Sequence, residues 1–256
     1  MSRLQEFLKA KLQPGRIGLM THLVLGYPSF AENEAMIGEM VQAGVEVIEL
    51  QIPFSEPSAD GPVIVKANAL SLEAGTKVSH CVEFAGRMAA LYPQTAFLFM
   101  TYYNILFQRG IPRMLDEAAQ AGVMGFILPD LPLEEAGDLP QQCAQRGLSN
   151  ILIFTPTHDP ERLTKLGQAS QGLVYAVGRR GITGQKTDFA GEMAQLISTY
   201  KAHTLLPLAL GFGVKSAADV AFLQGKADLA VIGTKLIELQ ETAGSQAVGR
   251  FLRELR

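Results

Sequence analysis

Short apolar runs alternate with longer amphipathic stretches along almost the whole chain. Eight of the runs have the length and the β-branched or aromatic content of buried strands. These strand candidates are residues 19–26, 45–52, 95–104, 124–130, 150–155, 173–177, 206–212 and 229–233. The segments between them, such as residues 31–44 and 111–122, have helical periodicity. Near-continuous apolar strands that alternate with helices are typical of a parallel sheet buried on both faces.

A weak internal repeat supports a closed arrangement of these units. QAGVEVIEL (42–50) and QAGVMGFIL (120–128) each contain a helix end, a glycine and a strand, and QRGLSNILI (145–153) resembles both. The glycine fits because a helix end commonly needs a residue at positive φ before the chain turns into the next strand. Eight such units without a break in composition predict a (β/α)8 TIM barrel.

We expect residues 1–256 to form one barrel domain, with a short extra amphipathic helix within residues 1–12. Barrels of this class commonly contain about 250 residues. The alternative is an open, doubly wound sheet. However, the first strand-to-helix turn, LVLGYPSF (23–30), lacks the GxGxxG of many dinucleotide-binding sheets.

Composition excludes several classes of function. The formal net charge of −3 leaves no basic surface for nucleic acid or an anionic membrane. No run approaches the roughly 18 apolar residues of a membrane span, and the N-terminus lacks the pattern of a signal peptide.

Cys81 and Cys143 lack CxxC or metal-ligand spacing, so we expect reduced thiols in a cytoplasmic protein. No metal ligand set is indicated by the four histidines, His22, His80, His158 and His203.

Two carboxylates near the second strand are the main candidates for chemistry. In a barrel the active site lies at the carboxyl ends of the strands. Strand alternation places Glu49 on one face with Val47 and Gln51, so we predict that it points into the barrel mouth. Burial raises the pKa of a carboxyl group, which suits a general acid–base, while Asp60 in the next loop stays ionised as an electrostatic partner. The alternative is a structural ion pair at Glu49 and a helix cap at Asp60.

Two glycine-rich turns predict a phosphate site. GFGV and VIGTK follow the seventh and eighth strand candidates, and loops in these places often bind phosphate in barrels. Gly213, Gly233 and Thr234 are the candidate donors, and Lys235 either adds charge or faces solvent. The segment GRRGITGQKTDF (178–189) suits a mobile loop that closes over an anion, although its composition also fits an ordinary surface loop.

Taken together and in this order, ELQIPFSEPSADGP, DLP, VGRRGITG, GFGV and VIGTK resemble the tryptophan synthase alpha subunit family. The resemblance covers essentially the whole chain. It implies a barrel that cleaves indole-3-glycerol phosphate to indole and glyceraldehyde 3-phosphate. It also implies an α2β2 complex, in which indole passes to a beta subunit that uses pyridoxal phosphate, and no metal or cofactor in this chain.

The resemblance also implies roles for individual residues. Glu49 matches the family's general acid–base and Asp60 its catalytic aspartate, which stabilises the cationic indole ring. Thr183 matches a threonine that contacts the Asp60 loop on closure, and Tyr175 lines the substrate site. The residues that match phosphate contacts are Gly184, Gly213, Gly233 and Thr234. Those that match the apolar indole pocket are Tyr102, Ile127, Ile153 and Phe212.

Five positions depart from the family pattern. Gln51 and Glu56 stand where Gly and Asp are usual, Ser58 replaces a common Leu, and Tyr27 replaces an Asp in the first loop. His22 replaces a Phe of the indole pocket and would weaken indole binding by on the order of 1–3 kcal/mol if its ring nitrogens found no partner. The alternative is that His22 forms a hydrogen bond within the site.

These departures leave two alternatives to the lyase. One is a weakly active or non-catalytic regulatory subunit that binds the phosphate ligand and activates its partner. The other is a different phosphate-handling barrel enzyme, such as a sugar-phosphate isomerase or aldolase, which has no need for the acidic ADGP loop. For partner docking we expect an exposed surface that includes Pro53, Leu131 and Pro132.

Overall fold

The computed structural model describes residues 1–178 and 189–256, which contain nine strands and twelve α-helices. The strands are β1 (Gly18–Val24), β2 (Val47–Gln51), β3 (Ala96–Met100), β4 (Gly125–Ile127), β5 (Ser149–Ile151), β6 (Ile153–Phe154), β7 (Val174–Val177), β8 (Leu208–Gly211) and β9 (Leu229–Ile232). The helices are α1 (Arg3–Lys11), α2 (Phe30–Gln42), α3 (Pro62–Glu73), α4 (Val78–Leu91), α5 (Tyr103–Arg109), α6 (Ile111–Gln120), α7 (Leu139–Gln145), α8 (Pro160–Ala169), α9 (Phe189–Ala202), α10 (Ala217–Leu223), α11 (Thr234–Ala243) and α12 (Ser245–Glu254). A 3-10 turn, Leu133–Glu135, precedes α7.

The strands form a barrel of eight positions. They pair in the order β5-β4-β3-β2-β1-β9-β8-β7-β6, and all pairs are parallel. Only Leu152 separates β5 from β6, so these two short strands are halves of one barrel strand. The amide of Leu152 donates to Ser170 Oγ at 3.0 Å, which interrupts the strand ladder at this residue. The predicted (β/α)8 barrel is therefore confirmed.

Strand alternation separates an inner core from an outer one. Met20, Val47 and Leu98 belong to a cluster inside the barrel, whereas Ile48 and Leu50 pack in the layer between strands and helices. Each strand thus presents apolar side chains to both faces, as expected for a sheet covered on both sides.

The predicted N-terminal helix closes one end of the barrel. In α1, Leu4 and Leu8 are completely buried and belong to the inner cluster. Ser2 caps the helix by accepting from the Gln5 amide, and its hydroxyl also accepts from Ser149 at the start of β5 at 2.8 Å. The helix therefore covers the amino-terminal ends of the strands and leaves the carboxyl-terminal end open for a site.

The glycines of the internal repeat have the expected backbone conformation. Gly44, Gly122 and Gly147 follow α2, α6 and α7 with φ of 80°, 77° and 69°. An L side chain is strained at such angles, so glycine is required where each helix turns into the following strand.

Two expectations about the rim need correction. The third strand candidate ends at Met100 rather than at residue 104, because α5 begins at Tyr103, whose amide donates to the Asp130 carboxylate. Pro53 is buried rather than exposed, because the amide of the preceding Ile52 still donates to the Met100 carbonyl within the barrel wall. Of the helices in the described part of the chain, none is long and apolar enough to cross a membrane.

Candidate active site

A cavity of about 550 Å³ opens at the carboxyl-terminal end of the barrel. Its volume lies in the usual range for small-ligand sites, roughly 300–1,000 Å³. All eight barrel positions contribute to its wall, as expected for a site at the strand ends. The contributing side chains or backbone atoms belong to His22, Glu49, Met100, Ile127, Ile153, Tyr175, Gly211 and Val231, in chain order.

A second cavity, of about 640 Å³, lies at the opposite end beside α1. It is larger, and lysine and arginine side chains contribute to its wall together with Asp228. Asp228 is already engaged there, by Lys201 and by the Leu208 amide. The carboxyl-terminal cavity is the better candidate, because only there do two carboxylates face glycine-rich turns.

Glu49 points into the carboxyl-terminal cavity and contacts His22 from the neighbouring strand. The register of β1 and β2 places these residues side by side, and His22 Nδ1 lies 2.9 Å from Glu49 Oε1. His22 is 4% exposed and Glu49 is 3% exposed. Within the described residues, the remaining atoms, His22 Nε2 and Glu49 Oε2, have no hydrogen-bond partner. Within the described residues, one oxygen of the Glu49 carboxyl group thus has a hydrogen-bond partner and the other has none.

The environment of His22 favours its protonated form. Burial lowers the pKa of His22. The charge of Glu49 and the hydrogen bond to it, with smaller contributions from Asp60 and Gln51, raise the pKa and together outweigh burial. The net direction is upward from 6.5. The protonated ring then donates its Nδ1–H to the Glu49 carboxylate.

Asp60 is held by two donors at the same oxygen. Gln51 Nε2 donates to Asp60 Oδ2 at 2.7 Å, and the Tyr102 hydroxyl donates to that oxygen at 3.1 Å. The same hydroxyl accepts from the Ala59 amide at 3.0 Å. Helix α3 begins after Gly61 without a side-chain cap, so Asp60 is engaged with the barrel wall rather than with the helix.

The loop that carries Asp60 is anchored at its start as well. The Phe54 ring stacks on Tyr102 with centroids 5.0 Å apart and an interplanar angle of 20°. The Phe54 amide donates to Asn68 Oδ1 on α3 at 2.9 Å. These contacts fix the position of the loop relative to both β3 and α3.

Glycine turns form the other side of the cavity. Gly213 has φ of 82°, and Gly233 is the N-cap of α11, so the amides of Thr234 and Lys235 begin that helix. Amides in a first helical turn have no intrahelical acceptor and favour an anion. Lys215 and Lys235 line the same cavity and add positive charge. The turns therefore have the chemistry of a phosphate site.

Most of the candidate residues that the structure describes line this one cavity. They are Glu49, Asp60, His22, Tyr175, Ile127, Ile153, Gly213, Gly233 and Thr234. Tyr102 instead lies behind Asp60, and Phe212 packs with Leu208 and Leu210 in the layer between strands and helices. Thr183 and Gly184 lie outside the described residues.

Tyr175 stands beside both acids. Burial, followed by the charges of Glu49 and Asp60, raises the pKa of its hydroxyl well above 10. The phenol therefore stays neutral and is a hydrogen-bonding group rather than a base.

Sequence reasoning missed several members of the cavity. Met100, Val231, Thr155, Lys215 and Glu238 contribute to its wall. The first two were accessible from alternation, because Met100 pairs with Gln51 at the same level of the barrel and Val231 precedes the Gly233 turn by two residues. The other three follow strands or lie on a helix, where spacing carries no comparable signal.

The fold and the site together define a class of protein. A closed parallel barrel, with two carboxylates facing helix-opening glycine turns at its carboxyl-terminal end, is typical of acid–base enzymes that act on a phosphorylated substrate.

Comparison with known proteins makes this assignment specific. The family model described as "Tryptophan synthase alpha chain" matches residues 8–252. The chain belongs to this family, whose members are carbon–carbon lyases that cleave indole-3-glycerol phosphate. The family assignment confirms the predicted lyase and does not favour a regulatory subunit.

Individual relatives agree over the full length. The chain is 49% identical to the tryptophan synthase alpha chain of Desulfotalea psychrophila, over 99% of each chain. It is 45% identical to that of Syntrophotalea carbinolica, over 99% of this chain and 100% of the relative. Among solved structures, a chain of Mycobacterium tuberculosis tryptophan synthase superposes with a TM-score of 0.89 at 30% identity, covering 99% of this chain and 96% of the other.

Proposed function

We propose that Glu49 and Asp60 carry out the retro-aldol cleavage of indole-3-glycerol phosphate in this chain. The observation that supports the proposal is their placement: both carboxylates line one cavity of about 550 Å³, together with Gly213 and Gly233. One small molecule in that cavity contacts both acids and the glycine turns at once.

Glu49 moves the protons. When Glu49 rather than His22 holds the proton that the pair shares, Glu49 gives it to carbon 3 of the indole ring, and its carboxylate then takes the proton of the adjacent side-chain hydroxyl. The electron pair of that O–H bond forms the aldehyde, the carbon–carbon bond breaks, and its electrons restore the aromatic ring. Glu49 ends protonated, as it began, so no net proton or oxidant is consumed.

Asp60 stabilises the charge that develops during this exchange. Protonation at carbon 3 makes the ring nitrogen cationic, and a fixed carboxylate beside it lowers the energy of that intermediate. The two hydrogen bonds from Gln51 and Tyr102 suit this role, because they hold the carboxylate in place before the charge appears.

The remaining wall of the cavity binds the substrate. Ile127 and Ile153 supply apolar surface for the indole ring, and Tyr175 adds a neutral hydroxyl beside the acids. The Gly213 and Gly233 turns with Thr234 bind the phosphate. From the resemblance we also assign Gly184 to phosphate binding and Thr183 to closure of the loop.

A beta subunit is the proposed partner. The alpha-like chain of Pyrococcus furiosus that superposes with a TM-score of 0.83 at 26% identity, over 93% of this chain, was solved in a tryptophan synthase complex. We assign pyridoxal phosphate to the partner alone and place the pair in the cytoplasm, where the two free, buried cysteines stay reduced. Pro132 is exposed and Leu131 partly so, and both remain candidates for the docking surface.

The decisive experiment is an indole-release assay with indole-3-glycerol phosphate. Wild type, Glu49→Gln and Asp60→Asn are measured alone and with a cognate beta subunit. We expect release by the wild type and a loss of at least about 100-fold in kcat for each variant. Full activity of Glu49→Gln would contradict the assignment, and activation of the partner by an inactive wild type would favour a regulatory subunit.

A further inference from the structure

We propose that His22 is a positioning residue for Glu49, which holds Oε1 of the carboxyl group and thereby presents Oε2 to the substrate. The inference rests on the proposed role of Glu49 in the reaction. It concerns a position where the resemblance implies a phenylalanine, which has no hydrogen-bonding atom.

The contact is built into the barrel wall. His22 on β1 and Glu49 on β2 are register partners, and both point inward from strands that are buried along their whole length. The 2.9 Å contact therefore joins side chains whose backbones are fixed relative to each other. A rotation of the Glu49 carboxyl group would break it.

His22 also lies next to the Gly233 turn. A Cβ built at Gly233 would lie 3.4 Å from Cβ of His22 and 3.7 Å from its ring carbons Cγ and Cδ2. These are ordinary van der Waals distances, so a Cβ at residue 233 would contact the imidazole without displacing it. His22 therefore contacts Glu49 while it lies next to the proposed phosphate turn.

The two carboxyl oxygens of Glu49 consequently differ. Oε1 has His22 as its partner, whereas Oε2 has none within the described residues although it is buried. A buried carboxylate oxygen without a partner is costly, so a ligand that supplies one is favoured. This asymmetry assigns the proton transfers to Oε2.

Several other groups face the imidazole or share its cavity. Asp60 approaches from the loop after β2, and Gln51 lies on the same strand as Glu49. Tyr175 faces the acids from β7, while Lys215, Lys235 and Glu238 contribute charges from the loop after β8 and from α11. Among these groups Glu49 has the largest raising effect on the pKa of His22, so a titration of His22 reports chiefly on that pair.

The test compares two variants of the full-length chain. His22→Asn keeps an N–H donor near the position of Nδ1 but carries no charge, and His22→Phe removes the donor. We expect kcat for indole release to fall about 10- to 100-fold in His22→Phe with a smaller change in KM, and to recover to within about fivefold of wild type in His22→Asn. His203→Asn is the matched control, because His203 bonds to Thr164 away from the cavity.

The histidine titration gives a readout that does not depend on activity. By NMR we expect the imidazole of His22, identified by its absence in His22→Asn, to titrate above 6.5 in the wild type. In Glu49→Gln it should titrate lower, because burial then acts without the opposing carboxylate. This measurement also decides the question if His22→Phe fails to fold.

The outcomes separate the inference from the proposed function. A wild type that releases no indole contradicts the proposed function. An active wild type with unchanged kcat in His22→Phe overturns the positioning role alone, as does a His22 titration that is the same in wild type and Glu49→Gln. Equal losses in His22→Phe and His22→Asn would show that the hydrogen bond is not what positions the acid.

Discussion

Removal of the Tyr102 hydroxyl tests how the enzyme holds Asp60. Tyr102 does not line the cavity, so Tyr102→Phe leaves the substrate contacts in place. It removes one of two donors to Asp60 Oδ2 and the acceptor of the Ala59 amide. Any loss of activity then reports on the position of the carboxylate rather than on binding.

The expected magnitude follows from the contacts. A hydrogen bond to a charged group contributes about 1.5–3 kcal/mol. Because Asp60 is partly exposed and keeps its bond to Gln51, we take the lower part of that range, about 1.5–2 kcal/mol. At roughly 1.4 kcal/mol per factor of ten, kcat/KM falls about 10- to 30-fold. In the proposed mechanism the cation beside Asp60 forms only during the reaction, so kcat should fall by a similar factor.

A double-mutant cycle with Gln51→Ala sharpens the test. Both donors bond to the same oxygen, so each single variant keeps one of these bonds, whereas the double variant keeps neither. The loss in the double variant should exceed the sum of the single losses by about 0.5–3 kcal/mol. The assay is steady-state indole release, and Tyr92→Phe is the control, because that hydroxyl lies beside Gly38 in the helical layer.

Two results would refute this reasoning. Unchanged kcat in Tyr102→Phe would mean that the hydroxyl does not position Asp60. Strictly additive losses in the cycle would mean that Gln51 and Tyr102 act through different groups.

Three further predictions concern stability and are measured by urea denaturation. Leu8→Ala should lower the free energy of unfolding by about 2–5 kcal/mol, because Leu8 is fully buried in the inner core. Gly167→Ala should lower the free energy of unfolding by about 1–3 kcal/mol, because the new Cβ would clash with the backbone carbonyl of His203. Gly86→Ala is the matched control: its Cβ has ordinary contacts at 3.7 Å, and the free energy of unfolding should rise by up to about 1 kcal/mol. The pKa of His22 is raised above 6.5 in the folded protein. The stability lost in His22→Phe should therefore be greatest below pH 6.5 and shrink as the pH rises through the folded pKa. A stability difference that grows with pH would contradict this prediction.

The strands were predictable because each barrel strand is buried on both faces. A run such as LAVIG at 229–233 is apolar throughout, and its neighbours have helical periodicity. The interruption at Leu152 was not predictable, because its cause is the side chain of Ser170, 18 residues further along the chain. A local pattern carries no information about an acceptor that far along the chain.

Alternation within one strand also predicted the direction of Glu49, but not its partner. The contact with His22 depends on the register of β1 against β2. A slip of one residue would turn the side chain of His22 or Glu49 to the other face of the sheet and break the contact. Phe212 shows the opposite case: alternation with Leu208 and Leu210 places it outside the barrel, whereas the resemblance implied a pocket residue. A match to the family pattern at a position therefore does not determine the direction of the side chain there.

The environment of both acids depends on residues that depart from the family pattern. His22 bonds to Glu49, and Gln51 bonds to Asp60. A phenylalanine and a glycine at these positions would offer neither bond, so each acid would need another neighbour or a different orientation. Both donors are buried and lie on adjacent strands, so we expect a change at either position to alter the field at both acids. If Glu49 and Asp60 have the proposed roles, the four side chains act together, so substitutions at 22 and 51 should be tested in combination.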